Sequence, residues 1–79
     1  MPRYYFHSQD GFSFTDEEGT DLPNAAAAQV EAARHMAEML RERAEVFWSD
    51  PHWTLTVAEE GGRALFTIRV EAGPPPPDA

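Results

Sequence analysis

The sequence predicts an α+β domain of order β-β-α-β-β, a four-stranded antiparallel sheet with one long helix packed on one face. Three observations carry that expectation. Segments flanking Gly11, and again Gly61-Gly62, alternate large apolar with small or polar residues, the period of a half-buried strand. Between them, the stretch from Asn24 to about Trp48 repeats apolar residues at steps of three and four, the period of a helix. Finally, 79 residues make a single domain and leave no length for a second.

The first strand is expected over Arg3 to Ser8 and the second over Phe12 to Thr15. A three-residue turn, Gln9-Asp10-Gly11, would pair Phe6 with Phe14 and Ser8 with Phe12. That register gathers Tyr4, Phe6, Phe12 and Phe14 on one face, so burial favours it over the tighter Asp10-Gly11 turn. The helix is expected to follow Pro23, with Asn24 as N-cap and Leu22 beneath the first turn. Its apolar stripe reads Ala26, Val30, Ala33, Ala37, Leu40, Ala44 and Phe47, with Met36 alongside. The opposite face carries the expected i,i+4 pairs Arg34–Glu38 and Arg41–Glu45. The acidic residues Asp16, Glu17, Glu18 and Asp21 precede the positive end of the helix dipole, and Ser49-Asp50-Pro51 ends the helix. Because about 25 helical residues outrun a six-residue strand, an overhang of roughly three turns is expected. In the last hairpin a two-residue Gly61-Gly62 turn pairs Val57 with Phe66, Leu55 with Ile68 and Trp53 with Val70, all on one face. The domain is therefore read as residues 2–71, and 72–79 as a disordered proline-rich tail.

Composition narrows the function classes. There are no cysteines, which removes disulfides, thiolate metal sites and a Cys nucleophile. Fourteen acidic residues against six arginines leave a net charge of −8, which repels phosphate backbones, so nucleic acid is not an expected partner. No apolar run has membrane-spanning length and no signal-type start is present, so no membrane association and a cytoplasmic location are expected.

Several blocks carry a family resemblance. The start Met1-Pro2-Arg3-Tyr4-Tyr5-Phe6-His7, the block Asp16-Glu17-Glu18-Gly19-Thr20-Asp21-Leu22-Pro23, the alanine-rich helix and the closing Gly62-Arg63 hairpin resemble a family of short bacterial proteins classed as a domain of unknown function. The likeness runs over about residues 2–70. Where that family commonly has Asp-Leu after Leu-Pro, this chain has Asn24-Ala25, which keeps a capping residue and removes an apolar anchor. The resemblance implies a small stand-alone cytoplasmic domain, and the family has no established activity, cofactor or catalytic residues to carry over.

Two groups of residues stand out as candidate sites. Phe47, Trp48 and Trp53 are large apolar groups near the end of the helix. They either fold against the sheet edge or form an exposed patch for an unidentified protein or a second copy of the chain. The second reading expects concentration-dependent dimers weakened by Trp48→Ala. The weaker group is polar: His7, Asp10, Asp16, Glu17 and Glu18, a histidine beside carboxylates, as in divalent-metal or general-base sites. The first-hairpin register points His7 away from the core, and Asp16-Glu17-Glu18-Gly19 lacks the alternating oxygen ligands of a calcium loop, so a solvated turn is the plainer reading. His35 and His52 stand apart from any nucleophile, and the serines lack a strand–elbow–helix setting. The expectation is a non-catalytic interaction or accessory module without a cofactor, with weak metal or ligand binding at the first hairpin as the alternative.

Overall fold

The computed structural model describes residues 1–78. In chain order its elements are β1 (Arg3–Gln9), β2 (Ser13–Phe14), β3 (Thr20–Asp21), α1 (Ala25–Glu42), α2 (Ala44–Phe47), β4 (His52–Glu59) and β5 (Ala64–Glu71). The antiparallel sheet runs β2-β1-β4-β5, and β3 pairs with the same strand β1 as β2 does. The α+β order is thus as read; the second strand is only Ser13–Phe14, and Thr20–Asp21, not expected as a strand, adds a short one to the same side of β1. Among the described residues no helix is long and apolar enough to cross a membrane.

The core lies between the sheet and α1. Tyr4 and Phe6 of β1, and Trp53, Leu55 and Val57 of β4, meet Ala28, Ala32 and Met36 of the helix, with Phe66, Ile68 and Val70 of β5 packed at its margin. Small residues on the helix let it lie close to a sheet whose bulk comes from large side chains. Asn24 caps the helix as expected: its Oδ1 accepts the N–H of Ala27 at 2.9 Å.

The helical stripe is corrected. The buried line is Ala28, Ala32 and Met36, whereas Ala26, Val30, Ala33 and Ala37 face solvent. Alanine at eight positions between 25 and 44 gives the helix two apolar flanks of similar spacing, and the larger Met36 selects which is buried. The expected charge pairs also change: Arg41 meets Glu38 at 3.8 Å, one turn back. Nor does the helix run on as an overhang. It breaks at Arg43 (φ −126°, ψ 36°), and α2 turns back so that Phe47 packs on Trp53. The 18 residues of α1 span about 27 Å, matching the roughly 26 Å of an eight-residue strand.

Both hairpins have three-residue turns. In the first, Ser8 pairs with Phe14 and Gln9 with Ser13, so Phe12 sits in the Asp10-Gly11-Phe12 turn and Phe6 has no Phe14 opposite it. This register is two residues from the expected one: Phe14 stays on the side of Phe6 but Phe12 leaves the strand, and the expected burial of both fails, with Phe14 59% exposed. It lets Asp10 and Phe12 reach Arg43 and Asp16 reach the Phe6 N–H. In the second hairpin the core pairs are as expected, Val57–Phe66, Leu55–Ile68 and Trp53–Val70. Its turn is not the two-residue one: Glu59 donates to the carbonyl of Arg63, the loop is Glu60-Gly61-Gly62, and a bulge at Leu65 restores the register. Beyond β5, Ala72 still donates to the carbonyl of Pro51, and Gly73 to Asp78 carry no helix or strand. Of the expected disordered tail, Ala79 lies outside the described residues.

Candidate interaction site

The helix break builds one end of the molecule. Arg43 still donates its N–H to Met39 in α1, and its carbonyl accepts from Phe47 in α2, so the residue belongs to both helices. Its guanidinium lies 5.5 Å from the ring centre of Phe12 and 5.5 Å from that of Trp53, within cation–π range of both. The same group donates a hydrogen bond to the carboxylate of Asp10 in the first turn. One side chain therefore joins the first hairpin, the helix junction and the start of β4.

Beneath Arg43 the aromatic groups are interior. Phe47 is 7% exposed and Trp53 1%, and their rings meet edge to face at 5.2 Å. Trp48 packs edge-on against Phe47 at 5.5 Å but is itself 69% exposed. Phe12, on the other side of Arg43, is 72% exposed. Of the two readings of the trio, Phe47 and Trp53 follow the folded one as core residues, whereas Trp48 is exposed, as is Phe12. Val46 is also exposed, and the exposed carboxylates of Glu42, Glu45 and Asp50 flank the junction in sequence. Neither Phe12 nor Arg43 stands out in the sequence. Asp10 and Arg43 are 33 residues apart, and only the folded chain brings them together.

The polar group of the first hairpin separates into two. Asp10 belongs to Arg43. Asp16 stands across from Phe6 in the gap between β2 and β3, where one carboxylate oxygen accepts the Phe6 N–H at 3.1 Å and the other accepts the N–H groups of Glu18 (3.1 Å) and Gly19 (3.0 Å). A side chain therefore takes the place of a strand on that stretch of β1. Partial burial pushes the Asp16 carboxyl up. Hydrogen bonds from Gly19, Phe6 and Glu18, with His7 nearby, outweigh it and hold the group below its ordinary value. The backbone N–H of Asp16 donates to His7 Nδ1 at 3.0 Å, which uses the lone pair a metal or a transferable proton would need. Glu17 and Glu18 are exposed, and the Glu18 carbonyl accepts from Arg3. Gly19 (φ +75°) is held tightly in this turn: a Cβ there would lie 2.7 Å from Arg3 Cγ and 2.9 Å from Tyr5 Cε1.

Among the described residues no group of three or more His, Asp or Glu side chains is arranged to hold a metal ion. The hollow beside His7, lined also by Gln9, Ser13, Thr54 and Thr56, measures about 230 Å³, below the usual range of small-molecule sites. A groove of about 410 Å³ along α1, between Glu31, Arg34, His35, Glu38 and Glu42, is open to solvent. His35 stacks on Phe6 with ring centres 6.1 Å apart.

Comparison with known proteins gives one match. The family model described as "Domain of unknown function (DUF6894)" covers residues 3–71. No curated protein and no solved structure matches the chain.

Proposed function

The chain belongs to the DUF6894 family, a domain of unknown function, and we propose that it works as a small non-catalytic interaction module. The observation that carries this reading is the two exposed aromatics, Phe12 against the Arg43 guanidinium and Trp48 against Phe47, with Arg43 and Phe47 both packed on the buried Trp53. Large aromatics fixed on packed neighbours are the anchors that contribute most to protein–protein binding, because little side-chain entropy remains to be lost. The junction lies among carboxylates on a chain of net charge −8, so the partner it fits is a protein segment presenting an apolar group flanked by basic residues.

Capture from a native cell extract on immobilised protein tests this. Wild type is expected to retain a partner that Trp48→Ala loses, with retention falling as salt rises. The melting temperature of the variant should stay close to that of wild type, since the indole removed is mostly in solvent. Identical captured sets for the two proteins would overturn the reading.

A further inference from the structure

A different surface, on the opposite side of the sheet from β2 and β3, has its own vacancy. Ala72 donates its N–H to Pro51 at 3.0 Å, which fixes the phase of the β4–β5 ladder. Antiparallel pairs alternate between those that exchange hydrogen bonds and those that do not. Counting from Ala72, the pairs Val70–Trp53, Ile68–Leu55 and Phe66–Val57 turn their amides toward β4. Thr67, Arg69 and Glu71 turn theirs outward. Among the described residues β5 pairs with β4 alone, so these N–H and C=O groups meet no strand. The segment from Phe66 to Glu71 contains no proline, and the bulge lies before it at Leu65. Its charged residues, Arg69 and Glu71, are of opposite sign, and neither a proline nor a bulge interrupts it.

We infer that this edge takes β5 of a second copy, paired antiparallel about a twofold axis at Thr67. Side chains decide the register. With Thr67 opposite its own copy, Phe66 meets Ile68 of the second chain on the core face, twice by symmetry, and apolar rows that are only partly buried in one chain become continuous. On the other face the two Thr67 hydroxyls, each already 2.9 Å from Thr56 Oγ1, join into a row of four threonines. Thr67 and its copy then exchange N–H and C=O directly. Centring on Arg69 instead would set like charges face to face. The helix adds to the same side. Because His35 stacks over β1, the flank carrying Ala26, Val30, Ala33 and Ala37 lies round the helix toward β5. This is the flank left in solvent, with Val30 51% exposed.

Sedimentation equilibrium and hydrogen exchange on the full chain test the pairing. A doubled mass is expected as concentration rises, with exchange at the Thr67 and Arg69 amides slowing about tenfold or more over the same range. Thr67→Pro removes an outward N–H without taking a bond from β4, so it should remain folded by circular dichroism and stay monomeric. Trp48→Ala should still dimerise, which separates this interface from the aromatic end. A wild-type chain that stays monomeric overturns the inference. So does a dimer with unprotected Thr67 and Arg69 amides, a dimer abolished by Trp48→Ala, or one that survives in folded Thr67→Pro. If Thr67→Pro does not fold, the wild-type exchange at Thr67 and Arg69 decides alone.

Discussion

Asp16 carries more of the first hairpin than its acidic surroundings suggest. In the sequence it is one of three adjacent acids, and charge runs of that kind are usually solvated. Its neighbours Glu17 and Glu18 fit that rule, but Asp16 accepts three backbone N–H groups, one from the middle of a core strand. Asp16→Ala is expected to cost about 1–3 kcal/mol at neutral pH, because the Phe6 N–H loses its acceptor. The pH dependence follows from the direction of its shift. A carboxyl held lower in the folded chain than in the unfolded one stabilises fully above the unfolded value of about 3.9, and that contribution is lost as pH falls through the lower folded value. Urea unfolding of wild type and Asp16→Ala should therefore differ most near neutrality and converge in strong acid. An equal gap at both pH values would refute this role. Arg43 was equally hidden, since arginines on an acidic helix ordinarily face water. What singles it out is the break in its own backbone and two rings that come from distant parts of the chain.

At the scale of elements, period and type were legible and fine alignment was not. Alternation fixes which residues share a face, and every core pair of the β4–β5 hairpin was readable from it. It cannot distinguish registers that differ by two, because both keep the faces. The first hairpin fell into that ambiguity, and its outcome depends on Asp10 reaching Arg43 and Asp16 reaching Phe6. The helix shows the same limit. Its alanines recur on two flanks, and a periodicity argument prefers the one ending in Leu40 and Phe47, which a continuous helix would align. Once the helix breaks at Arg43, Phe47 reaches the core from α2 and the alignment loses its force. Leucine scanning separates the flanks. Ala28→Leu is expected to cost about 1–3 kcal/mol by overpacking against the sheet, whereas Ala33→Leu should change monomer stability by no more than about 0.5 kcal/mol. Thermal unfolding at low concentration reads both, and equal effects would contradict the assigned buried line.

For the whole molecule, a small core and a strongly acidic surface were evident from length and composition. The position of the exposed aromatics was not, because Trp48 and Phe47 are neighbours in sequence and only the turn of α2 sends one inward. Among the described residues the proline-rich end makes its last backbone hydrogen bond at Ala72, so deletion of Gly73 to Ala79 should leave the unfolding free energy within about 0.5 kcal/mol of wild type. A larger loss would mean that the tail packs on the domain.

The Asp16 carboxylate has a consequence for how many chains can join. A sheet with two bare rims offers each newcomer another place to add, and growth of that kind runs on into filaments. Here the rim along β1 is stoppered: β2 and β3 occupy its ends and a carboxylate plugs the gap between them. Among the described residues the β1 side ends in strands of two residues each and β5 is the long unpaired edge, so a pair joined through β5 would have no second long strand to offer. Loss of that plug, by substitution or by protonation in acid, would bare the Phe6 N–H and give an added strand a second place to pair.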